Sequence, residues 1–105
     1  MADDRQIRIE KDGQTLAQAV VSVAEENGEG RAQLHVASGQ LPTGTRQELA
    51  AAVHEAIVED DAQRLTASVP LGDAELVLGI CEHLTDVELR AAGSTSIIKG
   101  DVKPH

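Results

Sequence analysis

The segment from Gly39 to Arg46 has the residue types and spacing that best suit a chemical role. Its glycines allow a flexible loop, and a helix is predicted to begin directly after it. The first N–H groups of a helix and the positive end of its dipole attract anions, and Arg46 adds a positive charge. We predict an anion or cofactor site formed by Gly39, Gln40, Thr43, Gly44, Thr45 and Arg46. The alternative is an ordinary loop between a strand and a helix.

The single cysteine and the histidines form no recognisable catalytic or metal motif. Cys81 lies on the apolar face of a predicted helix, where a thiol behaves as a small hydrophobic group. His54 is followed by Glu55, but Val58 stands where the zinc motif H-E-x-x-H has its second histidine. We therefore expect no metal site, no catalytic set and an inert thiol. A nucleophilic cysteine with a histidine as its base is the alternative.

The chain has no Phe, Tyr or Trp among its 105 residues. Binding of single-stranded nucleic acids relies on aromatic stacking, and sites for quaternary ammonium groups rely on aromatic cages. The net charge of −9, from 18 acidic and 9 basic side chains, repels phosphate backbones and anionic membrane surfaces. We expect neither a nucleic-acid partner nor a membrane partner.

Length and composition favour a single α+β domain over residues 1–105, with frayed ends at 1–4 and 103–105. One cysteine excludes an internal disulfide framework. The sequence contains no signal peptide and no apolar run of membrane-spanning length, so we expect a cytoplasmic protein. Because the core is aliphatic and thin, we also expect a homodimer, with an interface at a sheet edge or around residues 87–102.

The first third of the chain predicts three antiparallel strands. Apolar and polar residues alternate over 5–11, 14–25 and 31–38, as they do in strands with one buried face. Asp12-Gly13 and Asn27-Gly28 are strong hairpin signals, because glycine tolerates the positive φ of such turns. One face of this sheet is apolar and needs a cover.

The middle of the chain predicts two helices that supply this cover, separated by a strand over 63–69. Thr45 and Glu48 have the spacing of a capping box at the start of the first helix, and Asp73 is the expected N-cap of the second. The apolar stripe of the first helix comprises Leu49, Val53 and Ile57. The stripe of the second helix comprises Leu76, Ile80 and Leu84.

The last segment allows two interpretations. Alternation over 87–91 and the Gly93-Ser94 pair favour a hairpin that ends in a strand over 95–102. Thr85 and Glu88 also fit a capping box, so a short helix is the alternative. With the hairpin, the predicted fold is an α+β sandwich, β-β-β-α-β-α-β-β, with a mostly antiparallel sheet and both helices on one face.

This element order resembles the C-terminal two-thirds of GNAT-type N-acetyltransferases. In that family the loop before the first of these helices holds the coenzyme A pyrophosphate through a Q/R-x-x-G-x-G/A pattern. The run from Gln40 to Thr45 is similar, although its spacing differs by one residue and it contains Pro42. The resemblance implies binding of coenzyme A at this loop. The two N-terminal helices with which the family builds its acceptor site have no counterpart in this chain.

Two functions remain open. We favour a non-catalytic module that self-associates or binds a protein partner, without a cofactor, because the charge is acidic and no catalytic set is present. The alternative is an acetyltransferase-like domain that binds coenzyme A or a nucleotide through the 39–46 loop and needs a partner subunit to complete its site.

Overall fold

The computed structural model describes residues 4–24, 27–37 and 41–103. Its elements follow the predicted order of three strands, a helix, a strand, a helix and two strands. They are β1 (Arg5–Lys11), β2 (Gln14–Ala24), β3 (Glu29–Val36), α1 (Thr45–Glu59), β4 (Arg64–Pro70), α2 (Ala74–Cys81), β5 (Leu84–Ala92) and β6 (Thr95–Val102).

All six strands form one sheet in the order β1-β2-β3-β4-β6-β5. Neighbouring strands are antiparallel, with the exception of β3 and β4. These two strands are parallel, and α1 connects them. The predicted α+β fold with a mostly antiparallel sheet is therefore confirmed. The hairpin of the last segment is also confirmed, because β5 and β6 pair around Gly93, whose φ of 62° suits a tight turn.

Both helices cover the same face of the sheet. Alternate residues of β2, β3 and β4 point to this face and join the helices in one apolar cluster. The stripe of α1, Leu49, Val53 and Ile57, is completely buried there. In α2, Leu76 is completely buried and Ile80 is 1 % exposed. The opposite face, called here the open face, has no helix against it among the described residues.

The second predicted stripe is wrong at its last residue. Leu84 is buried, as expected, but it is the first residue of β5 and not part of α2, which ends at Cys81. A strand that enters the sheet below α2 buries a leucine at this position as well as a longer helix would. The spacing of apolar residues alone does not distinguish a helix from a strand here.

The two helix starts differ from each other. Asp73 caps α2 as predicted, since its carboxylate accepts a hydrogen bond of 3.1 Å from the N–H of Leu76. The capping box at Thr45 is wrong: Gly44 occupies the N-cap position in a left-handed conformation, and no side chain caps the helix. Instead, the Thr45 hydroxyl donates to the carbonyl oxygen of Pro42 at 2.7 Å, which fixes the entering loop.

The second hairpin signal is confirmed, because β2 and β3 pair antiparallel on either side of Asn27-Gly28, with a connection of four residues between Ala24 and Glu29. Lys103, in the segment that we expected to fray, donates its N–H to the His83 carbonyl oxygen at 3.0 Å. Residues 1–3 and 104–105 of the predicted frayed ends lie outside the described residues.

Candidate functional site

The two parallel strands separate at their C-terminal ends. Their last pair is Gln33 with Ser68. Beyond it, residues 34–36 of β3 pair only with β2, and residues 69–70 of β4 pair only with β6. The opening between residues 34–36 and 69–70 is called the wedge. Its backbone groups that face the gap have no partner strand among the residues that the structure describes, which makes them available to a ligand with amide or carbonyl groups.

The wedge lies where α/β sheets usually bind ligands. Both parallel strands leave the sheet at this edge, β3 toward α1 and β4 toward α2, so both helices begin beside the wedge. Ligands of such sheets bind beyond the carboxyl ends of the strands. The loop predicted to form an anion site therefore borders a second feature that favours binding.

Four of the six predicted site residues lie in the described part of this loop. Thr43, Gly44 and Arg46 line a shallow pocket of about 420 Å³ together with Gln47 and Glu75. Thr45 is adjacent, but its hydroxyl is committed to Pro42. The other two predicted residues, Gly39 and Gln40, lie outside the described residues.

Arg46 does not offer a free positive charge. Its Nε donates to both carboxylate oxygens of Asp73, at 2.8 and 2.9 Å, and its Nη1 lies 3.7 Å from Glu75. This ion pair ties the first turn of α1 to the N-cap of α2. Nothing local in the sequence indicates this ion pair, because its two partners are 27 residues apart in the chain.

The remaining anion donors are backbone groups. In the hydrogen bonds among described residues, the N–H groups of Thr45 and Glu48 are used at the start of α1, whereas those of Arg46 and Gln47 have no backbone acceptor. Two such N–H groups at a helix start favour an oxyanion. Glu48 in the first turn and Glu75 at the rim oppose it. The pocket can hold an anionic group mainly through backbone donors.

His35 is the ionisable side chain of the wedge. It lies on β3 opposite Gln18, points to the open face and is exposed. The other wedge residues, all of which the structure describes, are apolar. His35 is therefore the group that could accept or donate a proton for a ligand in the wedge.

The other two histidines that the structure describes, His54 and His83, lie elsewhere. His54 of α1 and His83 stack with their ring centroids 4.5 Å apart, and His54 Nε2 lies 2.8 Å from the carbonyl oxygen of Lys103. This pair lies near the end of β6 that is remote from the wedge, since β6 meets Pro70 at its other end. Burial, and then the nearby His54, lower the pKa of His83. Cys81 packs against the core.

Comparisons with known proteins agree on the fold. The sequence matches no protein-family model and no curated protein. The structure matches ribosomal-protein-alanine N-acetyltransferase from Brucella melitensis with a TM-score of 0.67 at 16 % identity, over 95 % of this chain and 69 % of that one. It matches an acetyltransferase of the GNAT family from Streptococcus pneumoniae with a TM-score of 0.68 at 11 % identity, over 95 % and 67 %.

A third neighbour contains a ligand. This is the GNAT superfamily phosphinothricin acetyltransferase from Sinorhizobium meliloti, in complex with AcCoA, with a TM-score of 0.67 at 10 % identity, over 97 % of this chain and 66 % of that one. The resemblance in element order to the C-terminal part of GNAT-type N-acetyltransferases is thus confirmed at the level of the fold.

These neighbours change the functional interpretation. The favoured function, a non-catalytic module for self-association or protein binding, is contradicted, because the structural neighbours are acetyltransferases of the GNAT superfamily. They support the alternative, an acetyltransferase-like domain. Among the described residues, no helix is both long and apolar enough to cross a membrane.

Proposed function

We propose that this chain is an acyltransferase-type domain that binds an acyl-coenzyme A and transfers the acyl group to an amine. The observation that carries the proposal is the wedge between the two parallel strands, placed beside the start of α1. The fold shared with acetyltransferases, one of them in complex with AcCoA, adds support. A cytoplasmic location is part of the proposal, since the single cysteine is a free thiol and free thiols persist in a reducing compartment.

The residues present fit the two parts of coenzyme A unequally. The pantetheine arm is narrow and carries amide groups, which match the unpaired backbone of residues 34–36 and 69–70. The diphosphate would be held by the N–H groups of Arg46 and Gln47 rather than by a free cation, because Asp73 already binds the Arg46 guanidinium. The wedge therefore contributes more to binding than the loop does.

The chemistry requires one proton acceptor from the protein. Coenzyme A supplies the acyl group as a thioester. Transfer forms a C–N bond while the C–S bond breaks, and coenzyme A leaves as the thiol with the proton that the attacking nitrogen releases. An amine attacks only when it is uncharged, so a base must take up its proton. We assign this role to His35, because it lies on the wedge and faces the open side of the sheet, from which an amine can approach.

Coenzyme A binding is tested with a pair of variants that carry the same charge change. Gln47→Glu places a carboxylate at the pocket beside α1, whereas Gln14→Glu places one on the distant β1–β2 hairpin. An acidic residue in the first turn stabilises a helix by about 0.3–1 kcal/mol, so Gln47→Glu should melt slightly higher than the parent. It should nevertheless bind coenzyme A several-fold more weakly, and Gln14→Glu should bind normally.

The measurement is a thermal melt followed by circular dichroism, with and without coenzyme A or acetyl-coenzyme A. A ligand at 100 times its Kd adds about 2.7 kcal/mol to the free energy of unfolding. No stabilisation by either compound would contradict the proposal. An equal loss of affinity for coenzyme A in the two variants would contradict the assignment of the diphosphate to the pocket beside α1.

Catalysis is tested separately. His35→Gln should keep the affinity for acetyl-coenzyme A and lose transfer to an amine at neutral pH, with partial recovery at higher pH, where more of the amine is uncharged. Unchanged transfer by His35→Gln would exclude the histidine as the base.

A further inference from the structure

The open face of the sheet carries a shallow basin that is separate from the wedge and from the pocket beside α1. It has a volume of about 390 Å³, within the range of small-molecule sites. Outward-facing residues of four adjacent strands line it, and these strands are β3, β4, β6 and β5. We call it the open-face basin. The polar residues on which the argument depends are Arg31, Gln33, Thr66, Ser68, Arg90 and Lys99.

Strand pairing places the positive charges of the basin around a common centre. Arg31 pairs with Thr66, and Thr66 pairs with Lys99, so the two cations flank the threonine in one row across the sheet. With strands about 4.8 Å apart, their backbones are separated by roughly 10 Å. Arg90 lies on the edge strand β5 and pairs with Ile97 of β6, in the row next to that of Lys99. Long side chains from these three positions can reach one ligand.

The charge of the basin is opposite to that of the chain. The protein has a net charge of −9 and 9 basic residues, yet four of those residues line this one basin, including Arg64. Arg64 is partly neutralised by Asp101 at 3.4 Å. Arg31, Arg90 and Lys99 form no ion pair with any residue that the structure describes.

Two acidic residues also border the basin. Glu29 lies at one end of it, and Glu88 pairs with Lys99 across the strands. Neither carboxylate forms an ion pair with a basin cation among the described residues. Arg5 and Arg46 elsewhere in the chain do have carboxylate partners.

The polar groups between the cations suit oxygen ligands. Thr66 and Ser68 are both half-buried. Thr66 lies between Arg31 and Lys99, and Ser68 lies beside Gln33 in the neighbouring row. Guanidinium groups bind carboxylates and phosphates through paired hydrogen bonds. We infer that the open-face basin binds a small molecule with two or more oxyanionic groups, held by Arg31, Arg90 and Lys99. This inference does not depend on the proposed acyl transfer.

The test compares two double variants that lose the same charge. Arg31→Gln/Lys99→Gln removes two basin cations. Arg8→Gln/Lys11→Gln removes two exposed cations of β1, which lie outside the basin. The net charge of the protein changes equally in both, so a difference between them reports the local site. Circular dichroism spectra confirm that both variants are folded.

The probes are citrate, inorganic pyrophosphate and acetate, titrated at constant ionic strength by calorimetry. We expect citrate, pyrophosphate or both to bind the parent, and acetate to bind far more weakly because it has a single charge. The basin variant should bind at least about 10-fold more weakly, since each charge-assisted hydrogen bond is worth roughly that factor. The β1 variant should change the affinity by less than about 2-fold, because salt screens distant charges. Binding of only one of the two polyanionic probes would identify carboxylate or phosphate as the preferred group.

Three results would overturn the inference. The first is that neither citrate nor pyrophosphate binds the parent. The second is an equal loss of affinity in the two double variants, which would indicate general electrostatic attraction. The third is a loss in Gln47→Glu but not in the basin variant, which would move the anion to the pocket beside α1. Normal coenzyme A binding alongside any of these results would leave the proposed function intact.

Discussion

Ile80 gives the most direct test of how α2 is held on the sheet. This helix has 8 residues, whereas isolated helices shorter than about 12–15 residues are marginal in water. Its stability must therefore come from packing. Ile80 is 1 % exposed and Leu78, two positions earlier, is 64 % exposed. The same type of truncation at the two positions should have very different costs.

The expected costs follow from burial. Ile80→Ala removes three carbon atoms from the core and leaves a cavity, which costs about 2–5 kcal/mol. Leu78→Ala removes carbons that already contact water and should change the free energy of unfolding by less than about 0.5 kcal/mol. For a domain of this size, each kcal/mol shifts the melting temperature by about 4–8 °C. Ile80→Ala should thus melt at least about 8 °C lower than the parent.

The assay must suit a chain without tryptophan or tyrosine. Urea titration followed by far-UV circular dichroism reports the loss of helices and sheet together, and the midpoint and slope give the free energy of unfolding. A cost below about 0.5 kcal/mol for Ile80→Ala, or equal costs for the two variants, would refute the packing of α2 on the sheet.

Three further predictions address the histidine pair, the thiol and assembly. Because the pKa of His83 is lowered from 6.5 by burial and by His54, the unfolded chain binds its proton more readily. The free energy of unfolding should therefore fall as the pH decreases below about 6.5, and His83→Gln should flatten this dependence in urea titrations; an unchanged slope would contradict the assignment. Burial raises the pKa of the Cys81 thiol, so a thiol reagent should label the native protein more slowly than the unfolded one, and equal rates would restore the nucleophile. The homodimer stays a prediction: β5 is an edge strand with Leu89 61 % exposed, and sedimentation showing the mass of a single chain at micromolar concentration would exclude it.

Local signals in the sequence predicted local structure well. The strand β1 and the cap at Asp73 depend on residues only a few positions apart, and both were correct. Leu84 shows where such reasoning fails. A helical spacing continued through it, but the chain had already left α2, and either element would bury this leucine. Periodicity indicates which residues are buried, and the element that buries them also depends on contacts distant in sequence.

The site depended on contacts that the sequence could not show. Arg46 was correctly placed at the start of a helix, but its partner Asp73 lies 27 residues away. Each basin cation occupies an outward-facing position in the alternation of its own strand. Taken one strand at a time, such a position indicates only a face exposed to solvent. They meet because β4 is inserted between β3 and β6, an order that only non-local strand pairing decides.

The wedge and the open-face basin adjoin each other, and this has a consequence for the proposed reaction. Arg31 and His35 lie on the same face of β3 and are separated by four residues, or roughly 13 Å of extended strand. A molecule anchored at Arg31 would have to extend along β3 to bring an amine to His35, over whatever part of that distance the two side chains do not span. If the basin holds the acyl acceptor, its ligand should be an extended molecule with an amine at one end and oxyanions at the other. Citrate should then inhibit acyl transfer competitively with such an acceptor, and not with acetyl-coenzyme A. Inhibition that is non-competitive with the acceptor would instead make the basin a separate regulatory site.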